Sequence, residues 1–265
     1  RRTVRGMMLE NILALLAAAA VAVGWFGLPA LRVMALSCAV CVILEAACEK
    51  LMHRVVTVDE LSPLVTGLTI AFLLPAGVPW WLVVMAAAST TLLGKMIFGG
   101  LGQNPLPPAA VGWTVCALSW PSAMNVDVAM LNSPLSYPLS RLKQLGPEAV
   151  ADYGPWELLL GQQLGGLGAS MILAVLAGGV YLLVRRRLRW EVPLAFLIGA
   201  WITAAIFHAA DPAAYAPAWF HMLTGSLVFG AFFLAADPGA SPNGRLPMVL
   251  YGLAGGALVI IIRVY

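Results

Sequence analysis

Charge is what this chain has least of. Of its 265 residues only 10% are Asp, Glu, Lys or Arg, while 61% are hydrophobic, and the mean hydropathy is +0.90. A soluble domain carries about 25% charged residues, so a water-soluble fold is excluded. Histidine is nearly absent: His53, His208 and His221 are the three copies, and they form no catalytic dyad or metal-ligand spacing. Cysteine is confined to Cys38, Cys41, Cys48 and Cys116. Cys38 and Cys41 make a CxxC, but it lies in an apolar run with no histidine nearby. Redox or zinc chemistry would need accessible, deprotonated thiols, so these read as small buried hydrophobes. Arg1, Arg2 and Arg5 precede an apolar run long enough to span, without a clear A-x-A site after it. No cleavable signal peptide is therefore expected. No nucleic-acid partner is expected either.

What is abundant is the apolar run of about 20 residues, the signature of a transmembrane helix. Nine spans are expected, at 9–28, 30–47, 61–74, 80–98, 108–124, 156–184, 192–209, 219–236 and 248–263. With the N-terminus inside, 11 of the 15 basic residues fall on inside segments. Arg32, Arg141, Lys143 and Arg263 are the outside ones, and the asymmetry sets the orientation by the positive-inside rule. Trp25, Trp80, Trp81, Trp120, Trp156 and Trp219 all fall at outer span ends, as an interfacial belt would.

Two segments depart from ordinary spans. LVTGLTIAFLLP (64–75) is short for a crossing, and HMLTGSLVFGAFFLAADP (221–238) repeats its Thr-Gly, aromatic middle and terminal proline. They lie five spans apart and so run in opposite directions, the pattern of an inverted repeat. Short, Gly-interrupted segments at matching positions of two halves point to a membrane binding site. The expected fold is an all-α polytopic membrane protein with an inverted repeat of five plus five helices, of which nine are read here and the tenth either falls beyond Tyr265 or is absent. It divides into a first half (1–124), an external segment (125–155) without hydrophobic periodicity, and a second half (156–265). A structureless external segment of about 30 residues is usually functional or disordered.

Between the fourth and fifth spans, FGGLGQNPLPPAAVGW (98–113) packs glycines, prolines, Gln103 and Asn104 into a tight polar hairpin. Its GGLGQNPLPPAAVGW resembles the GGLGQNPFNPAMVG signature of the NqrB/RnfD family. LVTGLTIAFLLPAGVPWW (64–81), RRRLRWEVPLAFLIG (185–199), HMLTGSLVFGAFFLAADP (221–238) and GRLPMVLYG (244–252) agree in order. The resemblance covers most of the chain and favours the RnfD branch.

It implies a membrane subunit of an ion-translocating electron-transport complex, coupling ferredoxin/NADH electron transfer to Na⁺ or H⁺ movement. The implied partners are Rnf-type subunits A, B, C, E and G in a hetero-oligomeric complex, with the bilayer of a bacterial inner membrane around them. The implied cofactor is FMN, esterified through its phosphate to a threonine in an external S-G/x-A-T-P-L motif, with riboflavin as another flavin form. Segment 125–155 contains no threonine. Two registers compete, placing either Tyr137 or Ser133 at the acceptor position. Ser133, Ser136 or Tyr137 would supply the hydroxyl, while Arg141 and Lys143 would neutralise phosphate. The end of the third span near Pro75, together with His221, Thr224 and Gly225, would complete an outer flavin slot. Gln103 and Asn104 would line an inner vestibule or second flavin pocket, or bond backbone.

Ionisable groups within the spans are expensive in hydrocarbon. Glu45 is expected to snorkel or pair with Lys50, Lys95 to snorkel, and Asp237 to cap a turn or hold the hairpin through Asn104 or Arg245. Two other readings stay open: a secondary transporter built on inverted repeats, and a flavin-free scaffold subunit.

Overall fold

A computed structural model describes residues 3–53, 58–100, 102–129 and 137–264. Among them are helices and turns without a strand. Four helices are long and apolar enough to cross a bilayer: α1 (Val4–Phe26), α2 (Leu28–Leu51), Glu191–Ala210 and Arg245–Val264. Shorter elements lie between. They are α3 (Ser62–Leu73), α4 (Trp80–Thr91), α5 (Pro108–Ser119), α6 (Pro138–Leu145) and α7 (Ile172–Val184). The long Glu191–Ala210 is α8, the short Ala218–Leu223 is α9, and Arg245–Val264 is α10. The face at which the chain enters α1 is called the N-face below.

The structure revises several expected spans. The sixth is not one helix. A short turn (Pro155–Leu159) leads into irregular, largely buried backbone over 160–171 before α7 begins. The sequence there, GQQLGGLGASM (161–171), carries glycine and amide where a helix would need apolar propagation. The eighth breaks after α9, and the chain resumes at Leu227–Phe229 and a π turn, Gly230–Leu234. The fourth ends in another π turn, Leu92–Met96, closed by Ile97 N–H donating to Leu92 O. The external segment is not structureless either. It holds the amphipathic α6 and a 3₁₀ stretch, Gly146–Asp152.

α3 has 12 residues, about 18 Å at 1.5 Å per residue, against a hydrocarbon core of about 30 Å. Its end cannot stay bare in lipid. Leu167 N–H donates to Leu74 O at 2.8 Å, and Gly168 and Ala169 N–H groups donate to Phe72 O. The irregular 160–171 backbone thus caps α3 and fills the membrane beyond it.

Packing is pairwise and similar in the two halves. α2 lies against α3 and α4, with α1 also on α3. α8 lies against α9 and, most extensively, α10, while α7 touches Leu227–Phe229. α1 and α7 join the halves. Small residues permit the close approaches, as is usual between helices in lipid. A Cβ on Gly67 would stand 2.6 Å from Cys38 Cα. One on Gly178 would overlap the Ala14 carbonyl, and one on Gly256 the Phe196 carbonyl. The cysteines are structural: Cys38 and Cys41 thiols face the carbonyls of Leu64 and Ala87 at 3.8 and 3.9 Å, and all four are free. Trp25, Trp80, Trp81 and Trp156 are exposed at the face opposite the N-face, where interfacial rings belong.

Gly256→Leu should wedge α8 from α10 and cost about 1–3 kcal/mol or more, read as a lower unfolding midpoint in detergent. Gly24→Ala, where an added Cβ meets nothing within 4 Å, should be neutral or stabilise by about 0.5–1 kcal/mol.

Candidate functional site

The hairpin at 98–107 is shaped by glycines: Gly99, Gly100 and Gly102 have φ of 107°, 106° and 81°, values open to glycine and strained for other residues. The turn delivers Asn104 into the protein, where it is 3% exposed, and leaves Gln103 outside. Asn104 Nδ2 donates to Leu106 O and to Asp237 Oδ2, both at 3.2 Å. Asp237 Oδ1 accepts from Gly239 N–H at 3.4 Å. The expected Asn104 partner for Asp237 is therefore present, and it ties the two half-chains together across 133 positions.

On the opposing wall stands a buried ion pair. Lys95 Nζ donates to both carboxylate oxygens of Glu45, at 2.7 and 2.6 Å, and to Ser62 Oγ at 2.7 Å. Both charged side chains are 2% exposed. This corrects the expected snorkelling and the expected Glu45–Lys50 pair. The π turn inserts an extra residue into the last turn of the fourth span, and Lys95 lies within it.

Between these walls opens a cavity of about 330 Å³ on the N-face, lined by Lys95, Ser62, Asn104, Asp237, Phe232 and Phe233 among others. Pro107, Pro108, Val65 and Met8 add apolar surface. Small-molecule pockets are of this kind: about 300–1,000 Å³, mostly apolar, with a few placed polar groups. Phe233 stacks on Phe229 at 5.3 Å, and Phe229 meets Phe72 at 5.9 Å, so aromatic rings form the deep end. Hydrophobic runs pointed to the membrane but gave no sign that Lys95 and Asp237 face one cavity. Only the hairpin's polar pair hinted at it.

Across the membrane, three of the expected outer residues, His221, Thr224 and Gly225, stand at the break after α9. Gly225 has φ 64°, which ends the helix and leaves its carbonyls bare. Four carbonyls find donors: Phe220 O from Thr224 Oγ1 (2.8 Å), His221 O and Thr224 O from Arg263 (2.8 and 3.2 Å), and Leu223 O from Gln163 Nε2 (2.9 Å). Gln163 Oε1 accepts from Gly225 N–H at 3.3 Å. Thr224 and Gly225 thus spend their polar groups on the break, and a matching Thr-Gly in α3 serves close packing instead. His221 is buried with Nδ1 unpartnered. His208, by contrast, sits 2.8 Å from Tyr215 O through its Nδ1.

Tyr137 lies near Arg263, and burial pushes its phenol above the usual value, Arg263 working against that and Asp127 with it. Arg141 and Lys143 are exposed on α6, whose Leu139 is the side chain beside Gly225. Ser133 and Ser136 lie outside the described residues. Gln163 and Arg263 were missed in the sequence because each resembles an ordinary polar residue near a span end.

A polytopic α-helical membrane protein with interrupted helices and, between its halves, a mostly apolar cavity with a few polar groups is the class this geometry defines. The chain belongs to the NQR2, RnfD, RnfE family, whose model matches residues 1–265. It is 33% identical, over all of its length and 82% of the relative's, to the RnfD component of the Na(+)-translocating ferredoxin:NAD(+) oxidoreductase complex of Acetobacterium woodii. It is 31% identical to the RnfD component of the ion-translocating oxidoreductase complex of Halorhodospira halophila, covering 98% of this chain and 82% of that one. A Yersinia enterocolitica protein of the same description is 32% identical over 100% and 86%.

Replacing Lys95 by Met should leave the Glu45 carboxylate buried without a cation, costing about 3–5 kcal/mol. Glu45→Leu/Lys95→Met should recover most of that loss in the same detergent unfolding measurement.

Proposed function

We propose that this chain is the RnfD component of an ion-translocating electron-transfer complex and holds a flavin in its N-face cavity. The observation that carries the reading is the pairing of two charged walls across one apolar cavity, Lys95–Glu45 on one side and Asn104–Asp237 on the other. A tricyclic ring system needs a slot of this size with aromatic and proline walls, and Phe232, Phe233, Pro107 and Pro108 provide them. Asn104 and Asp237 would orient the ring's polar edge, and Lys95 would offset negative charge gained on reduction. When bound, a flavin supplies one- and two-electron transfer. The named relatives add the complex and, in one case, Na⁺ translocation.

The chain would sit in a bacterial inner membrane with the N-face cytoplasmic, on the strength of the basic residues there, and would assemble with the A, B, C, E and G subunits. Its halves, 1–124 and 156–265, would form an inverted repeat joined by 125–155. The like pairing of α2 with α3 and α4, and of α8 with α9 and α10, supports that. An outer FMN would use Tyr137 and His221, the polar side chains beside the Arg263 that holds the α9 break. The interrupted helices also suit a plain transporter, which would carry no flavin.

Purified protein or complex should show visible flavin absorbance and fluorescence. Asn104→Ala/Asp237→Ala should lower flavin retention about tenfold, the effect of losing two buried polar contacts. A colourless preparation, or full retention in the double variant, would sink the cavity assignment. Mass spectrometry of the denatured chain separates the outer site, since an unmodified mass excludes a phosphoester-linked FMN.

A further inference from the structure

A second cleft of about 320 Å³ opens on the N-face, lined by Arg186, Arg187, Arg189, Ser241, Asn243 and Met248 among others. It adjoins the main cavity, with which it shares Val4, Met7, Arg187, Ala236 and Pro238. Its charges do not balance. Arg185 and Arg187 both bind Glu10, Arg185 at 2.8 Å and Arg187 through two nitrogens. Among the described residues Arg189 Nη1 meets only the Met248 thioether, at 3.8 Å, a weak acceptor. Among the described residues no carboxylate pairs with Arg186 or Arg189, and Arg245 has Glu191 at 3.8 Å.

The backbone adds an independent sign. α7 ends in paired reverse hydrogen bonds, Arg187 N–H to Leu182 O and Arg186 N–H to Leu183 O, both 2.9 Å. This ending requires a left-handed residue, and glycine is the usual choice. Here the position holds Arg186 at φ 54°, a strained conformation for a residue with a long side chain. An orientation signal of the positive-inside kind needs arginine somewhere on this face. It does not need arginine at the one position where glycine would relieve strain, nor a cleft walled by three of them. Strain held at one residue tends to mark use of its side chain.

We infer that this cleft is a phosphate-binding site, its Arg186 and Arg189 guanidiniums engaging a phosphate ester at the membrane boundary. Guanidinium forks match phosphate oxygens two at a time, and Ser241 and Asn243 supply neutral donors beside them. The ester could arrive from either of two sources. Exposed Trp190, next in the chain to Arg189, offers an apolar side chain to an anionic phospholipid, whose headgroups favour basic pockets between helices. The shared wall with the main cavity equally admits the phosphate of a nucleotide-type ligand.

The test is a thermal-shift titration of the purified full chain in neutral detergent. The probes are inorganic phosphate, a short-chain phosphatidylglycerol and FMN, with diacylglycerol and riboflavin as phosphate-free counterparts. At least one phosphate-bearing probe should raise the midpoint by roughly 3 °C or more over its counterpart. Phosphatidylglycerol alone identifies the lipid source, FMN alone the nucleotide, and all three the phosphate group itself. Arg186→Gly should keep or raise the midpoint without ligand, because the strain is gone, and should lose most of the shift. Arg186→Gly/Arg189→Gln should lose all of it. No shift with any phosphate-bearing probe, equal shifts with the phosphate-free ones, or an undiminished shift in the folded Arg186→Gly protein would overturn the assignment.

Discussion

Backbone amides and carbonyls inside a bilayer must bond to protein, because lipid offers no partner. An unbroken helix meets that demand alone. This chain interrupts its helices at mid-membrane and must therefore find donors and acceptors elsewhere. The 160–171 backbone supplies N–H groups to the end of α3, while Gln163 and Arg263 supply side-chain donors to the end of α9. One irregular segment consequently serves both interruptions. The cavity, the aromatic floor and the outer break are all placed by that arrangement.

Buried polarity follows a second rule in this molecule: charge is held either by an opposite charge or by backbone and amide groups. Lys95, Glu45 and Ser62 form a closed cluster at hydrogen-bonding distance. Breaking one partner of such a cluster leaves an expensive residue behind, whereas replacing both with apolar groups can be nearly neutral. A charged pair kept where an apolar one would fold as well argues for a use at the cavity. Asp237 is different, since amide groups rather than a cation hold it.

Much of this architecture could be read in the residues. Hydrophobic runs located the four long helices to within about five positions, because a bilayer sets their length. The Gly-rich hairpin was legible for an equally direct reason: Gly99, Gly100 and Gly102 occupy backbone conformations that other residues avoid. Hydropathy failed at 160–171, where leucines and glycines average as apolar although the backbone is irregular. It also could not tell which charges meet. Glu45 and Lys95 are 50 positions apart on different helices, and only the packing of α2 against α4 brings them together. Of the outer candidates, Tyr137, His221, Thr224 and Gly225 lie near Arg263, while Arg141 and Lys143 stand on the exposed side of α6. Thr224 and Gly225 proved to be committed to backbone, a role that side-chain identity alone does not reveal.

The capping of α3 by backbone from the second half has a consequence for how the protein is made. Phe72 and Leu74 enter the membrane well before residues 167–169 are synthesised. Until then the carbonyls at the end of α3 have no native donor, and the first half cannot finish folding by itself. During insertion that end must be shielded by water, by the insertion machinery or by neighbouring chain. The two halves, however similar in plan, are therefore not autonomous modules: the first matures only when the second arrives.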